Sequence, residues 1–210
     1  MNFDEKARHW DSNPARRERA QAVAQAMRSK LPLRATMTAL EYGCGTGLLS
    51  FELRRDLGQI TLADSSPGML AVVHEKIVTA RAENLFPLQL DLLRDPLPPQ
   101  RFDLIYSLMT LHHIPDTQHI LSAFYQLLQP GGYLCIADLD EEDGSFHQEP
   151  FEGHLGFNRQ DLATATTVAG FEVIGFETVY QMIKIVEEQP RSYPIFLMTA
   201  HKRSSSVLHI

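Results

Sequence analysis

The 210-residue sequence predicts an α/β domain: a doubly wound, mostly parallel sheet with helices on both faces. Three observations predict it. Short apolar runs alternate with helical patterns from residue 38 to about 138. The first run ends in Glu41 and opens into a loop with glycine at 43, 45 and 47, before a helical pattern at Leu48. The length suits one domain with a sizeable core.

Taken in order, residues 14–31 carry an amphipathic helix with Pro14 near its start. Ala20, Val23, Ala24, Met27 and Leu31 form its apolar face, and Arg16, Arg17, Glu18 and Arg28 lie off that face. Strands follow at 38–42, 60–63, 86–90, 102–107 and 133–138, with helices at 48–57, 68–82 and 117–128. Such alternation implies right-handed crossovers in a parallel sheet. A helix over 158–169 has Asn158 as its cap and Gly170 as its stop. Residues 171–180 and 193–201 read as a hairpin joined by the polar stretch 187–192. Residues 139–157 lack periodicity and read as a long loop over the strand ends. The organisation is an N-terminal helical segment (1–31), one domain (32–203) and a frayed tail (204–210), with no internal repeat.

A net charge of −7 disfavours a nucleic-acid substrate, whose phosphates need Lys and Arg. No apolar run is long enough to cross a bilayer and no secretory leader pattern opens the chain, so a cytoplasmic protein is expected. Cys44 and Cys135 show no metal or redox spacing and read as free thiols.

Glycine at alternate positions lets the backbone turn sharply and leaves no Cβ to block a ligand. A loop of this kind between a strand and a helix cradles a nucleotide at the strand's carboxyl end. The dinucleotide fingerprint requires a third glycine where this chain has Leu48. Glu41, just before the glycines, would repel a pyrophosphate and suit a cationic amine. With these features the sequence resembles the class I S-adenosylmethionine-dependent methyltransferases. Glu41-Tyr42-Gly43-Cys44-Gly45-Thr46-Gly47 resembles their first motif, and Asp64 the acid ending the second strand. Asp91-Leu92 resembles the adenine-edge segment and 102–107 the fourth strand. Leu111-His112-His113-Ile114 is similar to small-molecule members, and Leu128-Gln129-Pro130-Gly131-Gly132 to the turn before the fifth strand. The ordered set spans residues 38 to about 138.

The resemblance implies a Rossmann-like seven-stranded sheet in the order 3-2-1-4-5-7-6, ending in an antiparallel hairpin. It also implies S-adenosyl-L-methionine as cofactor, held by Glu41, Gly43, Cys44, Gly45, Gly47, Asp64, Ser65, Met69, Asp91, Leu92, Ser107 and Leu108. Asp64 would accept from the ribose hydroxyls, or else face water. Asp91 would accept from the adenine amine, with Leu92 offering its N–H, or else cap a turn. Met69 would lie on the adenine face or pack the core. Ser107 and Leu108 would meet the methionine portion. His113 is the candidate catalytic group facing the acceptor, set against the reading that both histidines are structural; neighbours on an extended segment point to opposite sides. The acidic run Asp138, Asp140, Glu141, Glu142 and Asp143 reads as solvated, and no metal is expected. His147 and His154 share that loop. The segment with Phe3, His9 and Trp10 would fold over the cofactor as a lid, or Trp10 would pack against the domain.

The expected reaction is direct methyl transfer to O, N or C of a small molecule by a monomer or homodimer. Such displacement needs alignment and exclusion of water more than acid–base groups. No Asn-Pro-Pro-Tyr sequence is present, which disfavours a nucleobase or glutamine acceptor. Three rivals stay open: a nicotinamide-dependent oxidoreductase, a non-catalytic cofactor-binding or regulatory protein of the same fold, and an aminopropyl transferase.

Overall fold

The computed structural model describes residues 3–147 and 151–204. Most of the expected tail therefore lies outside the described residues. The chain opens with α1 (Phe3–Lys6), a 3-10 segment (Ala7–Ser12) and α2 (Pro14–Lys30). The Asn13 side chain accepts from the Ala15 N–H and Pro14 sits in the first turn, which starts α2 at the residue the sequence predicts. Then follow β1 (Thr38–Tyr42), α3 (Leu48–Leu53), β2 (Gln59–Asp64), α4 (Pro67–Ala80), β3 (Leu85–Gln89) and β4 (Phe102–Leu108). The chain continues through a 3-10 turn (Leu111–His113) into α5 (Thr117–Leu127), β5 (Leu128–Leu139), α6 (Arg159–Val168), β6 (Glu172–Val186) and β7 (Gln189–His201).

The seven strands form one sheet in the order β3-β2-β1-β4-β5-β7-β6. β1 runs parallel to β2 and β4, β2 to β3, and β4 to β5; β7 is antiparallel to both β5 and β6. Each face has its own core. Met27, Leu53 and Val73 of α2, α3 and α4 join Leu104, Tyr106 and Ala137 on one face. Phe124 and Leu127 of α5 and Leu162 of α6 join Ile105, Ile136 and Phe196 on the other. Fully burying a side chain such as Phe124 stabilises by about 1.5–3 kcal/mol.

Three boundaries differ from expectation. Helix α3 ends at Leu53 rather than Leu57, because the Asn84 side-chain amide donates to the carbonyls of Arg54 and Leu57 and draws the chain into a turn. Strand β5 starts at Leu128, directly after α5. The Pro130-Gly131-Gly132 turn is built into the strand: Gly131 has φ +84° and its N–H donates to the Lys202 carbonyl. The hairpin is longer than predicted. Residues 189–192 belong to β7, and the connection is only Glu187-Glu188, both at positive φ. Two left-handed residues match the twist of paired strands, so β6 and β7 pair out to Val186 and Gln189.

Candidate active site

The sheet reverses direction between β1 and β4, and a parallel sheet binds ligands above such a point. A cavity of about 290 Å³ lies there, over the carboxyl ends of β1, β2 and β4. Its floor is the glycine loop. Gly43 has φ +68°, and a Cβ on it would fall 2.1 Å from the Thr110 side chain, whose hydroxyl donates to the Gly43 carbonyl. Only glycine fits both constraints. The Gly45 N–H donates to Asp64 at 2.7 Å, and the Ser66 N–H to the other oxygen of Asp64 at 2.9 Å. Asp64 thus ties the loop after β1 to the start of α4 while lining the cavity. Burial raises its pKa, and these N–H donors oppose the rise.

Glu41 is only 2% exposed. One of its oxygens faces the core, accepting from the backbone N–H and the hydroxyl of Ser50, which also bonds the Tyr106 hydroxyl. The residue still lines the cavity. Burial pushes its pKa up to about 8, against the Ser50 hydrogen bonds and the Lys76 charge. The Cys44 thiol lines the loop and is likewise pushed up by burial.

Of the residues singled out from sequence, Glu41, Gly43, Cys44, Gly45, Asp64, Ser65, Met69, Asp91, Leu108 and His113 converge on this cavity. Gly47, Leu92 and Ser107 stand outside its wall. Gly47, at φ +77°, precedes α3, where a Cβ would meet Leu62 at 2.7 Å. The Leu92 N–H is not free, since it donates to the Tyr42 hydroxyl, and Leu93 lines the cavity instead. Ser107 is buried, and its hydroxyl has no hydrogen-bond partner among the described residues. Asp91 caps its own turn through the Leu93 N–H, as its alternative reading holds, and also reaches the cavity.

His112 and His113 lie on a 3-10 turn rather than an extended segment, with rings 4.0 Å apart. Their environments still differ. His112 is buried, its Nδ1 2.6 Å from the fully buried Asp138. His113 lines the cavity beside Phe3 and Phe151, and burial plus the neighbouring His112 lowers its pKa to about 3. It is a neutral imidazole at physiological pH. His147 stacks on Phe151 at 3.6 Å. The acidic run is distributed rather than clustered: Asp138 holds His112, Asp140 pairs with Arg159 through two 2.6 Å contacts, and Asp143 pairs with Arg191. Among the described residues no group of three or more His, Cys, Asp or Glu could hold a metal ion, and no helix is long and apolar enough to cross a membrane.

The N-terminal segment forms the opposite wall. Phe3, Trp10, Arg16 and Arg19 face the glycine loop across the cavity. Asp11 accepts from Thr46 and pairs with Lys76 at 2.7 Å, and Asp4 accepts from Ser66 and Gly68. One face of Trp10 is covered by Arg16, whose guanidinium carbon lies 3.8 Å from the ring centre. Arg16, expected from the sequence to lie off the apolar face of α2, instead covers Trp10 and lines the cavity, and Arg19 was not singled out from the sequence at all. Arg16, Arg19, Ala20 and Val23 follow a helical stripe, so two arginines on the inward face were the available signal.

The arrangement fits an adenosyl sulfonium ligand better than a pyrophosphate. Two carboxyl groups, Glu41 and Asp64, flank the loop, Lys76 is already held by Asp11 and the Thr46 carbonyl, and the arginines of the cavity, Arg16 and Arg19, stand on the opposite wall, away from the glycine backbone. Comparisons agree. Residues 40–136 match a family model described as a methyltransferase domain. A 27-O-demethylrifamycin SV methyltransferase of Amycolatopsis mediterranei is 28% identical over 62% of this chain and 49% of its own length. An uncharacterized methyltransferase of Schizosaccharomyces pombe is 33% identical over 66% of this chain and 56% of its own. The chain spans about half the length of these curated relatives. A solved S-adenosylmethionine-dependent methyltransferase from Aquifex aeolicus superposes with a TM-score of 0.72 at 20% identity, over 95% of this chain and 98% of the other, and shows the shared fold.

Proposed function

We propose that the chain is a class I S-adenosylmethionine-dependent methyltransferase, as its match to a methyltransferase-domain model supports, and that it transfers a methyl group directly to an O, N or C atom of a small molecule. The observation that carries this reading is the cavity at the β1–β4 switch point, with glycine backbone beneath and Glu41 and Asp64 on its rim. Asp64 and Asp91 would hold the adenosine, Met69 and Leu93 its apolar faces, and Glu41 the cationic amine end. When bound, S-adenosyl-L-methionine supplies an activated methyl group on sulfur.

The chain's own residues do the rest. Leu108, Met109 and Thr110 shape the floor beside the glycine loop, with Met109 held at positive φ by its N–H bond to Ala137. His113, neutral and inside the cavity, is suited to accept a hydrogen bond from the acceptor's O–H or N–H and so to orient it. Phe3, Trp10 and the α2 residues Arg16 and Arg19 line the cavity opposite the glycine loop, which supports a lid role for the N-terminal segment in excluding water.

Titration calorimetry with S-adenosylmethionine and with NAD tests the reading. Binding of the first alone is expected. NAD binding without S-adenosylmethionine binding would end it. Transfer of labelled methyl groups into small molecules of a cell extract separates an enzyme from a cofactor-binding regulator.

A further inference from the structure

Arg19 is a buried cation without an anionic partner among the described residues. The residue is 9% exposed and lines the cavity. Its Nε has no hydrogen-bond partner among the described residues. Its Nη1 reaches only the Met182 sulfur, at 4.0 Å, a weak acceptor. The carboxylate whose field it feels, Asp138, is already committed to the His112 ring and to the N–H groups of His112 and Leu139. The facing Tyr180 hydroxyl is turned to Glu18. Arg16, the other cation of this wall, adds repulsion, and burial lowers the Arg19 pKa to about 10. A desolvated guanidinium without an anion is costly to keep, and its fork of donors matches a carboxylate.

Position decides whose anion it takes. Asp64 and Asp91 follow β2 and β3, so an adenosine would lie on that side of β1. Arg19 stands on the other side, by Met182 of β6 and Asp138 of β5. We propose that Arg19 receives a carboxylate of the methyl acceptor, so that the substrates are small organic acids anchored beneath α2. This rests on the methyltransferase reading above.

Calorimetry on the whole chain tests it in two arms. In the first, S-adenosylhomocysteine and 5′-methylthioadenosine are titrated into wild type and Arg19→Met. Equal affinities within about threefold are expected. A loss of tenfold or more for S-adenosylhomocysteine, with 5′-methylthioadenosine unchanged, would give Arg19 to the cofactor's own carboxylate and overturn the proposal. In the second, protein saturated with S-adenosylhomocysteine is titrated with benzoate, salicylate, malonate and octanoate and with their methyl esters. At least one acid should bind tenfold or more better than its ester, and Arg19→Met should abolish that preference. Acids and esters binding alike, or no acid binding, overturns it. Should Arg19→Met fail to fold, Arg19→Lys serves: it keeps the charge but loses the fork, and an undiminished preference for the acid would count against the assignment. Failure of wild type to bind S-adenosylhomocysteine at all is read before any acid is added, and it removes the underlying reading instead.

Discussion

Glu41 is where one side chain carries most of the site's electrostatics. Its unfolded pKa is near 4.5 and burial lifts it to about 8. The folded, ligand-free protein therefore holds this proton across neutral pH. The sign follows: its contribution to stability is complete below about pH 4.5 and is lost as pH rises through about 8. A cationic ligand reverses the preference, so binding S-adenosylmethionine at pH 7 should release up to about one proton. Calorimetry in buffers of different ionisation enthalpy reads this release, and Glu41→Gln should remove it. Gly43 is constrained from two directions, by positive φ and by Thr110. Gly43→Ala should cost roughly 2–4 kcal/mol from left-handed strain and overpacking, lowering the thermal midpoint by about 5–12 °C. An unchanged midpoint would mean that Thr110 swings aside freely.

Among the elements, the β6–β7 hairpin shows a gap between local propensity and adopted geometry. Glu187 and Glu188 occupy two left-handed positions at φ +50° and +64°, where glutamate is strained and like charges adjoin. Replacing the pair by Asn-Gly, which suits such a turn, should raise stability by about 1 kcal/mol in denaturant unfolding with no change in slope. The strand boundaries were misread from sequence because the polar residues 189–192 resemble a loop when tertiary pairing is unseen. Pro190 and Pro194 stand opposite Ile185 and Gln181 on β6, an edge strand of the sheet. The helical stripe on α2 was legible, since Ala20, Val23, Ala24 and Met27 repeat at helical spacing and are buried. Arg19 was not, because an arginine normally marks the solvent face and only the packing of α2 over the strand ends gives it a cavity to enter.

At the scale of the whole molecule, ligand-free stability should depend on pH through opposing groups. His113 is lowered to about 3 and His147 to about 4, first by burial and then by the neighbouring His112. Each stays neutral in the fold while its unfolded counterpart takes a proton below about 6.5. Stability is thus lost as pH falls from about 6.5 toward those values, while Glu41 acts in the other direction between about 4.5 and 8. Melting midpoints from pH 4.5 to 7 should show a shallower acid decline for His113→Phe than for wild type. Parallel curves would mean that His113 protonates in the fold without cost. By itself the sequence determined the alternation of strands and helices, the glycine loop and the carboxylate preceding it. These depend on near-neighbour chemistry: periodicity of apolar residues, left-handed glycine, a carboxyl beside a turn. The tertiary structure alone decided which groups share the cavity and in what charge state. Among the described residues it seated Arg19 without an anion, gave Asp138 to His112 and the Leu92 N–H to Tyr42, and brought residues 3–30 over the strand ends. Desolvation and contact between segments far apart in sequence set those outcomes, and neither is written in local pattern.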